Sequence, residues 1–285
     1  MTRELFGDSL FWEKMWQEAR AKSLYGRRLP GREEEYWNRR AASFTSHSRS
    51  REAQERAANI LHLLGHRNVL DREAEVLDIG CGPGTYALVL ARRVRRVVAL
   101  DPSPEMLSAL KRRMQEERLE NIEVVQAAWE DVDLEDLGFK KRFKAVLALM
   151  TPGIRDAATL KKMIEACHGV CVLGGHVRQE EEGRRELWRK LIGGEIPPLA
   201  PEAFYIFHLL YSWGYLPSLE LERRPIWREM SVDEAVAEYE NFFYPYIDLN
   251  DQARRIITDY VVSHAVEGKY IQKREFIAAY LCWSV

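Results

Sequence analysis

The sequence predicts an α/β fold in which helices cover both faces of a doubly wound, mostly parallel sheet. Short apolar or β-branched runs alternate with helix-like segments between residues 75 and 175. A glycine-rich turn, 80–84, directly follows the first of these runs, and a further apolar run closes the chain at 275–285. Strands that alternate with helices in this way are typical of parallel sheets buried on both faces.

The apolar runs predict where the strands and helices lie along the chain. Five strands are predicted at 76–79, 97–100, 122–125, 145–149 and 169–173. The helices between them are expected at 85–94, at 104–114 and at about 156–167, with Ser103 and Pro104 beginning the second. A helix at about 202–213 then leads to two more strands, at 218–222 and 275–285, which complete a seven-stranded sheet.

Three parts of the chain are expected from these elements. Residues 1–65 read as an N-terminal helical cover, in which the aromatic and basic stretch 36–44 connects two helices. Segments 66–224 and 271–285 form the core. The intervening segment 225–270 is helix-like around 231–243 and 251–264, and it is too long for a plain loop, so we expect a helical insertion or lid before the last strand.

Composition narrows the classes of function. The formal net charge of the 285 residues is −2, which argues against a nucleic-acid partner. No run approaches the ~18 apolar residues of a membrane span, and the first residues mix acids with apolar side chains, unlike a signal peptide. We therefore expect a cytoplasmic chain with no membrane partner. Segment 180–190 mixes both charge signs and reads as a solvated helix face.

The cysteines predict no metal site. Their spacing matches no common zinc pattern and no histidine pair accompanies them, so we expect reduced, mostly buried thiols at Cys81, Cys167, Cys171 and Cys282.

The chemistry is concentrated in the stretch VLDIGCGPGTYA at 76–87. Glycine allows a sharp turn and lets a ligand approach the backbone with no Cβ in the way. A dinucleotide fingerprint has a third glycine where this sequence has Thr85, so the spacing argues against that fold's cofactor. A carboxylate at Asp78 is awkward beside a pyrophosphate but suits an ammonium group.

A second carboxylate, Asp101, ends the second strand 17 residues after Gly84. An acidic side chain at this place accepts hydrogen bonds from ribose hydroxyls. No arginine follows it directly, which argues against a 2′-phosphate. The alternative is a simple helix-initiating turn in Asp-Pro-Ser-Pro, 101–104.

VLDIGCGPG at 76–84 and VVALDPSPEML at 97–107 together resemble the first two motifs of the class I S-adenosylmethionine-dependent methyltransferases. The resemblance covers about 75–175 and implies the Rossmann-like methyltransferase fold with S-adenosyl-L-methionine as cofactor. It implies that Asp78 and the turn hold the methionine portion, Asp101 the ribose, and Pro102 and Met106 the adenine. The cofactor candidates are Asp78, Gly80, Cys81, Gly82, Gly84, Thr85, Asp101, Pro102, Met106, Ala128, Trp129, Met150, Trp37 and Arg40.

Two later motifs depart from the family. The position aligned with the adenine-reading Asp or Asn is Ala128, so backbone groups near Trp129 and stacking are left for adenine, with Glu130 or Asp131 as an alternative carboxylate. For Trp129 itself, a core aromatic is the other interpretation. The fourth motif, 150–153 (MTPG), is not Asn-Pro-Pro-aromatic, which argues against DNA and glutamine methyltransferases.

The acceptor is expected over the carboxyl ends of the strands. Trp37 and Arg40 either close over the methionine carboxylate or pack on the sheet edge. The aromatic run 242–246 either lines an acceptor pocket, where it would suit a cationic amine, or fills the space between added helices. The positional candidates for a general base are His176 and Tyr244.

These observations favour methyl transfer to a small-molecule acceptor at a nitrogen, oxygen or carbon atom. The alternatives are an RNA or protein methyltransferase, an NAD-dependent oxidoreductase and a catalytically silent cofactor-binding protein. A homodimer is compatible with the sequence, which does not specify the oligomeric state.

Overall fold

The computed structural model describes residues 8–285. The start of the predicted cover 1–65, on which the expectation about a signal peptide also falls, lies outside the described residues.

One mixed sheet of seven strands organises the described chain, in the order β3-β2-β1-β4-β5-β7-β6. Its strands are β1 (Glu75–Ile79), β2 (Arg96–Asp101), β3 (Ile122–Gln126), β4 (Phe143–Leu149), β5 (Cys167–Glu180), β6 (Ser218–Ser231) and β7 (Lys269–Ser284). Strands β1 to β5 pair in parallel, whereas β7 is antiparallel to both β5 and β6. The predicted seven-stranded, mostly parallel sheet is confirmed.

Ten α-helices flank the sheet within residues 8–285. They are α1 (Ser9–Lys22), α2 (Glu33–Ser48), α3 (Arg51–His66), α4 (Ala87–Ala91), α5 (Pro104–Glu117), α6 (Ala157–Ala166), α7 (Glu182–Leu191), α8 (Glu202–Ser212), α9 (Val232–Phe243) and α10 (Asp251–His264). Helix α5 shows how local sequence fixes a boundary, because the Ser103 hydroxyl accepts from the backbone N–H of Met106 and Pro104 occupies the first turn. None of the described helices has the length and apolarity that crossing a membrane requires.

The two faces of the sheet are buried in separate cores. Neighbours along β1 and β2 alternate between them: Leu77 and Val98 belong to one core, and Val76 and Val97 to the other. This alternation follows from the two-residue period of a strand, and it explains why the central strands are continuous apolar runs. A third core joins α9 and α10, in the part of the chain predicted as an insertion, to α7 around Trp188.

The hairpin strands are longer than expected. Strand β6 continues to Ser231 and β7 begins at Lys269, so the two inserted helices occupy 232–268. Charged residues and Pro225 make this part of β6 unlike a strand in the sequence. The structure tolerates them because β6 is the edge of the sheet, where a proline and exposed charges are common. Strand β5 likewise runs to Glu180, because β7 pairs with it along that length.

Three local expectations were wrong. The stretch 36–44 is not a connector but part of α2. The helix expected at 85–94 is confined to Ala87–Ala91, since turns occupy the residues on both sides. The segment 180–190 is not a fully solvated face, because Arg184, Leu187 and Trp188 of α7 are buried.

Candidate cofactor site and active site

The glycine turn between β1 and α4 needs its three glycines for different reasons. Gly80, Gly82 and Gly84 all have positive φ, between +53° and +85°. A Cβ on Gly80 would lie 2.1 Å from Thr151 Oγ1, and one on Gly84 would lie 2.4 Å from Leu110 Cδ1. A Cβ on Gly82 would meet nothing closer than 3.9 Å, so this position faces open space that a ligand can enter.

Asp101 fixes this turn to the end of the neighbouring strand. Its Oδ2 accepts a hydrogen bond from the Gly82 N–H at 2.9 Å, and its Oδ1 accepts from the Ser103 N–H at 2.9 Å. Burial raises the pKa of the Asp101 carboxyl, while these two backbone donors act in the opposite direction. The turn and the second carboxylate, predicted to form one site, are therefore in direct contact.

Asp78 lies beneath the turn in the interior. Only 1% of its surface is exposed, and its Oδ2 has no hydrogen-bond partner among the described residues. Burial, together with the nearby Asp101, raises the pKa of Asp78 to about 7. A buried carboxylate with a free oxygen is stabilised by a cationic donor, and the ammonium group of an amino acid supplies one.

A cavity of about 390 Å³ opens above the turn, a size within the range of small-molecule sites. Thirteen of the predicted site residues line it, namely Trp37, Arg40, Gly80, Cys81, Gly82, Thr85, Asp101, Pro102, Met106, Ala128, Trp129, Met150 and His176. Asp78 and Gly84 are not in its lining. The cradle at Gly82 and the unpartnered oxygen of Asp78 together fit a nucleoside that carries an amino-acid group.

The part of the cavity wall that follows β3 also belongs to the hydrophobic core. The Trp129 ring is 2% exposed, and its Nε1 donates to the carbonyl of Thr159 at 3.0 Å. Trp129 is therefore a core aromatic that also belongs to the cavity lining, and its role toward adenine stays a prediction. Ala128 offers only backbone groups here. The alternative carboxylate, Glu130, is paired with Arg155 at 2.8 Å.

The wall after β4 contains a strained residue. Met150 has φ +57°, which is uncommon for a residue other than glycine, and its N–H donates to the carbonyl of Gly174 at 2.7 Å. Such outliers cluster at functional sites. Here the left-handed backbone turns the chain sharply between β4 and Thr151, whose side chain packs against Gly80.

Helix α2 covers the cavity and is tied to the cofactor turn at two points. Asn38 Oδ1 accepts a hydrogen bond from the Ser103 hydroxyl at 2.6 Å. Arg113, buried on α5, donates to the Ser48 hydroxyl at 2.9 Å and to the Pro83 carbonyl at 3.0 Å. Sequence reasoning missed Asn38 and Arg113, because they belong to no motif and only the packing of α2 on α5 brings them together.

The two candidate bases are in different places. His176, on β5, lines the cavity, and burial followed by nearby arginines lowers the pKa of its imidazole to about 4. Tyr244, after α9, is not in the lining; the guanidinium groups of Arg32 and Arg39 lie over its ring at 5.1 and 4.2 Å from the centroid. The structure therefore brings His176, and not Tyr244, to the site.

The aromatic run 242–246 packs away from the cavity. Phe242 and Phe243 are buried in the third core, and the guanidinium of Arg184 covers the Phe242 ring at 4.1 Å. Of the two interpretations given for this run, the filling of space between added helices describes its position. No group of three or more His, Cys, Asp or Glu side chains within residues 8–285 is placed to hold a metal ion.

Residues 76–175 match the methyltransferase domain family. A structure from Bacillus halodurans, assigned to the methyltransferases, superimposes with a TM-score of 0.50 at 14% identity and covers 80% of this chain and 98% of its own. At that identity the likeness shows the fold alone.

Curated relatives match over shorter segments. An uncharacterised Haemophilus influenzae protein is 45% identical over 69 residues, which are 24% of this chain and 25% of that protein. A ubiquinone biosynthesis O-methyltransferase of Acinetobacter baumannii is 32% identical over 104 residues, or 36% and 41% of the two chains. A human tRNA (uracil-5-)-methyltransferase homologue A is 28% identical over 120 residues, which are 38% of this chain and 19% of that protein.

The matches thus span well under two thirds of each curated relative, and these relatives differ in their acceptors. The family match at residues 76–175 includes the glycine turn and the Asp101 strand end, the elements that the sequence assigns to the cofactor. Residues 76–175 therefore form a methyltransferase domain, which confirms the resemblance of this segment to the class I S-adenosylmethionine-dependent methyltransferases.

Proposed function

We propose that this protein transfers a methyl group from S-adenosylmethionine to a small-molecule acceptor. The observation that carries the proposal is the single cavity that joins the glycine turn to His176 beneath the cover of α2. Its volume of about 390 Å³ suits a cofactor with a compact acceptor. The tethered cover argues against an extended RNA or protein chain as the acceptor.

The cofactor would be held by residues on three elements of the chain. The backbone at Gly82 and the carboxylate of Asp78 serve the methionine end, Asp101 serves the ribose, and Met106 with Ala128 serves the adenine. Arg40, which reaches the cavity from α2, is the candidate partner of the methionine carboxylate.

When bound, the cofactor supplies an activated methyl group on a sulfonium centre. The protein then has to orient the acceptor and exclude water, which accounts for much of the acceleration in such reactions. His176 is neutral at pH 7, because its pKa is about 4, so its unprotonated ring nitrogen can accept a hydrogen bond from the acceptor and orient it. No other described residue singled out as a base faces the cavity.

The expected division of the chain stays part of the proposal. The helices before residue 66 and the inserted pair α9–α10 cover the methyltransferase core, with α2 closing the cofactor site and α9 contributing Glu238 to the cavity.

Two measurements test the proposed function. Calorimetry with S-adenosylhomocysteine should show one site per chain. Incubation with methyl-labelled cofactor and fractionated cell extract should then place the label in the low-molecular-weight fraction. Label in the RNA or protein fraction contradicts the small-molecule acceptor, and the absence of S-adenosylhomocysteine binding contradicts the whole assignment.

A further inference from the structure

Part of the cavity wall is built from arginines that no sequence motif connects. Arg40 comes from α2, Arg56 from α3, Arg228 from β6 and Arg274 from β7. Four elements that are distant in the sequence thus direct guanidinium groups toward one space. The lining contains two buried carboxylates, Asp101 at the cofactor turn and Glu238 on α9, and Glu33, Glu34 and Glu130 line it with more exposed side chains.

The carboxylate of Glu238 is shared rather than free. Glu238 Oε1 lies 3.5 Å from Arg40 Nη2, 3.6 Å from Arg274 Nη1 and 3.5 Å from Nη2 of Arg184, a buried neighbour behind the wall. Glu181, also buried, adds contacts to Arg184 at 2.8 Å and to Arg274 at 3.5 Å. Two carboxylates therefore serve three guanidinium groups.

Arg56 and Arg228 have no carboxylate within ion-pair distance in the described part of the chain. The Arg56 guanidinium instead lies against His47, with Nη2 3.1 Å from the ring Nε2. Because a guanidinium only donates, His47 Nε2 is the acceptor and carries no proton. Arg56 is thus paired with a neutral group. Arg228 makes no direct ion pair among the described residues, although its charge acts on the carboxylate of Glu238.

The arginines also act on the two histidines of the cavity, although burial has the larger effect on both pKa values. Burial, then Arg56, Arg228 and Arg274, lowers the pKa of His47 to about 4. The pKa of His176 is lowered to about 4 by burial and then by Arg274 and Arg56. Both histidines line the cavity, and Arg56 and Arg274 lower the pKa of both. The sulfonium of a bound cofactor would add a further positive charge.

We propose that the methyl acceptor carries an oxyanion, a carboxylate or a phosphate, which binds to Arg56 and Arg228 beside His47. This inference rests on the proposed function, since it concerns the acceptor of that same site. Guanidinium groups bind both oxyanions through paired N–H donors. The arginine wall disfavours a cationic amine, the acceptor that an aromatic cage would have suited.

The experiment uses the full chain saturated with S-adenosylhomocysteine, at constant ionic strength because chloride screens exposed arginines. Inorganic phosphate, benzoate and the neutral, equally shaped benzamide are titrated by calorimetry. We expect phosphate or benzoate to bind at one site and benzamide to bind at least about tenfold more weakly, as for loss of a charged hydrogen bond. The stronger of the two anions identifies which oxyanion the site prefers.

Variants locate that site. Arg56→Gln and Arg228→Gln should each weaken anion binding at least about tenfold while leaving S-adenosylhomocysteine affinity intact, which also shows that the variants fold. The matched control is Arg223→Gln, on the same strand as Arg228 but with its side chain 72% exposed and paired to Glu275. Anion binding in this control should equal that of the parent.

The outcomes separate the two proposals. If S-adenosylhomocysteine binds and neither anion does, or benzamide binds as well as benzoate, the oxyanion inference is overturned and the proposed function stands. Anion binding that survives equally in both glutamine variants also overturns it. If S-adenosylhomocysteine itself does not bind, the proposed function fails and the inference fails with it.

Discussion

At the scale of single residues, Gly82 is the position where one side chain should decide cofactor binding. Its backbone has φ +53° and faces open cavity, whereas Gly138 has φ +61°, faces open space and lies outside the cavity. Gly82→Val and Gly138→Val therefore impose similar backbone strain, but only the first fills ligand space.

We expect Gly82→Val to abolish S-adenosylhomocysteine binding in calorimetry and Gly138→Val to retain it. Both variants should lose a similar amount of thermal stability. If the two variants bound S-adenosylhomocysteine equally well, the cofactor would not occupy the open space at Gly82.

Asp78 should make cofactor affinity depend on pH. Its carboxyl has a pKa of about 7, raised by burial and then by Asp101, so it is largely protonated below that pH. Pairing with an ammonium group requires the ionised form. The affinity for S-adenosylhomocysteine should therefore fall by about tenfold from about pH 8 to about pH 6.

The check on this dependence is calorimetry in buffers of different ionisation enthalpy, which should show proton release on binding near pH 7. Asp78→Asn should bind more weakly at high pH and lose most of the pH dependence. A parent protein whose affinity and proton count are flat across this range would contradict the role of Asp78.

At the scale of elements, α2 depends on Arg113 for its position over the cofactor. This side chain joins Ser48 at the end of α2 to the Pro83 carbonyl in the turn, and removing it leaves both acceptors without their donor. Arg113→Met should weaken S-adenosylhomocysteine binding by about 1–2 kcal/mol and speed proteolysis within α2.

The control for α2 is Arg49→Met, whose side chain is 54% exposed and pairs with Glu116 on the surface. It should change neither calorimetric affinity nor the rate of limited proteolysis. An Arg113→Met protein with the parent's affinity would show that α2 stays in place by apolar packing alone.

For the whole molecule, the two histidines of the cavity should set part of the acid stability. The pKa of each is lowered to about 4, first by burial and then by arginines. In the unfolded chain the same histidines take up a proton near pH 6.5, so between about pH 6.5 and about pH 4 they are charged only when the protein unfolds. Their contribution is complete above about pH 6.5 and is lost as pH falls toward about 4. Asp78 acts in the opposite direction in this range, because its pKa is raised.

A comparison with the double variant His47→Gln, His176→Gln isolates the histidines, since Asp78 is common to both proteins. The unfolding free energy of the parent relative to the variant should fall by on the order of 6 kcal/mol between about pH 7 and about pH 4, about half from each histidine, measured by urea denaturation. A constant difference across this range would show that the histidines are not held neutral by the fold.

The sequence by itself determined the cofactor half of this protein. A buried strand, a turn with three glycines and a strand end at Asp101 are local signals, because backbone sterics and strand periodicity act over a few residues. These signals predicted the parallel sheet, which the structure confirms, and they predicted the residues around the turn that the structure brings to one cavity.

Only the tertiary structure decided where the arginines of the cavity wall meet. Arg56, Arg228 and Arg274 lie on separate elements, and each reads in the sequence as an ordinary surface charge. The pairing of β6 with β7 and the docking of α2 and α3 place them around one space. Electrostatic potential depends on distances in space rather than in sequence, so the positive wall had no local signal from which it could be predicted.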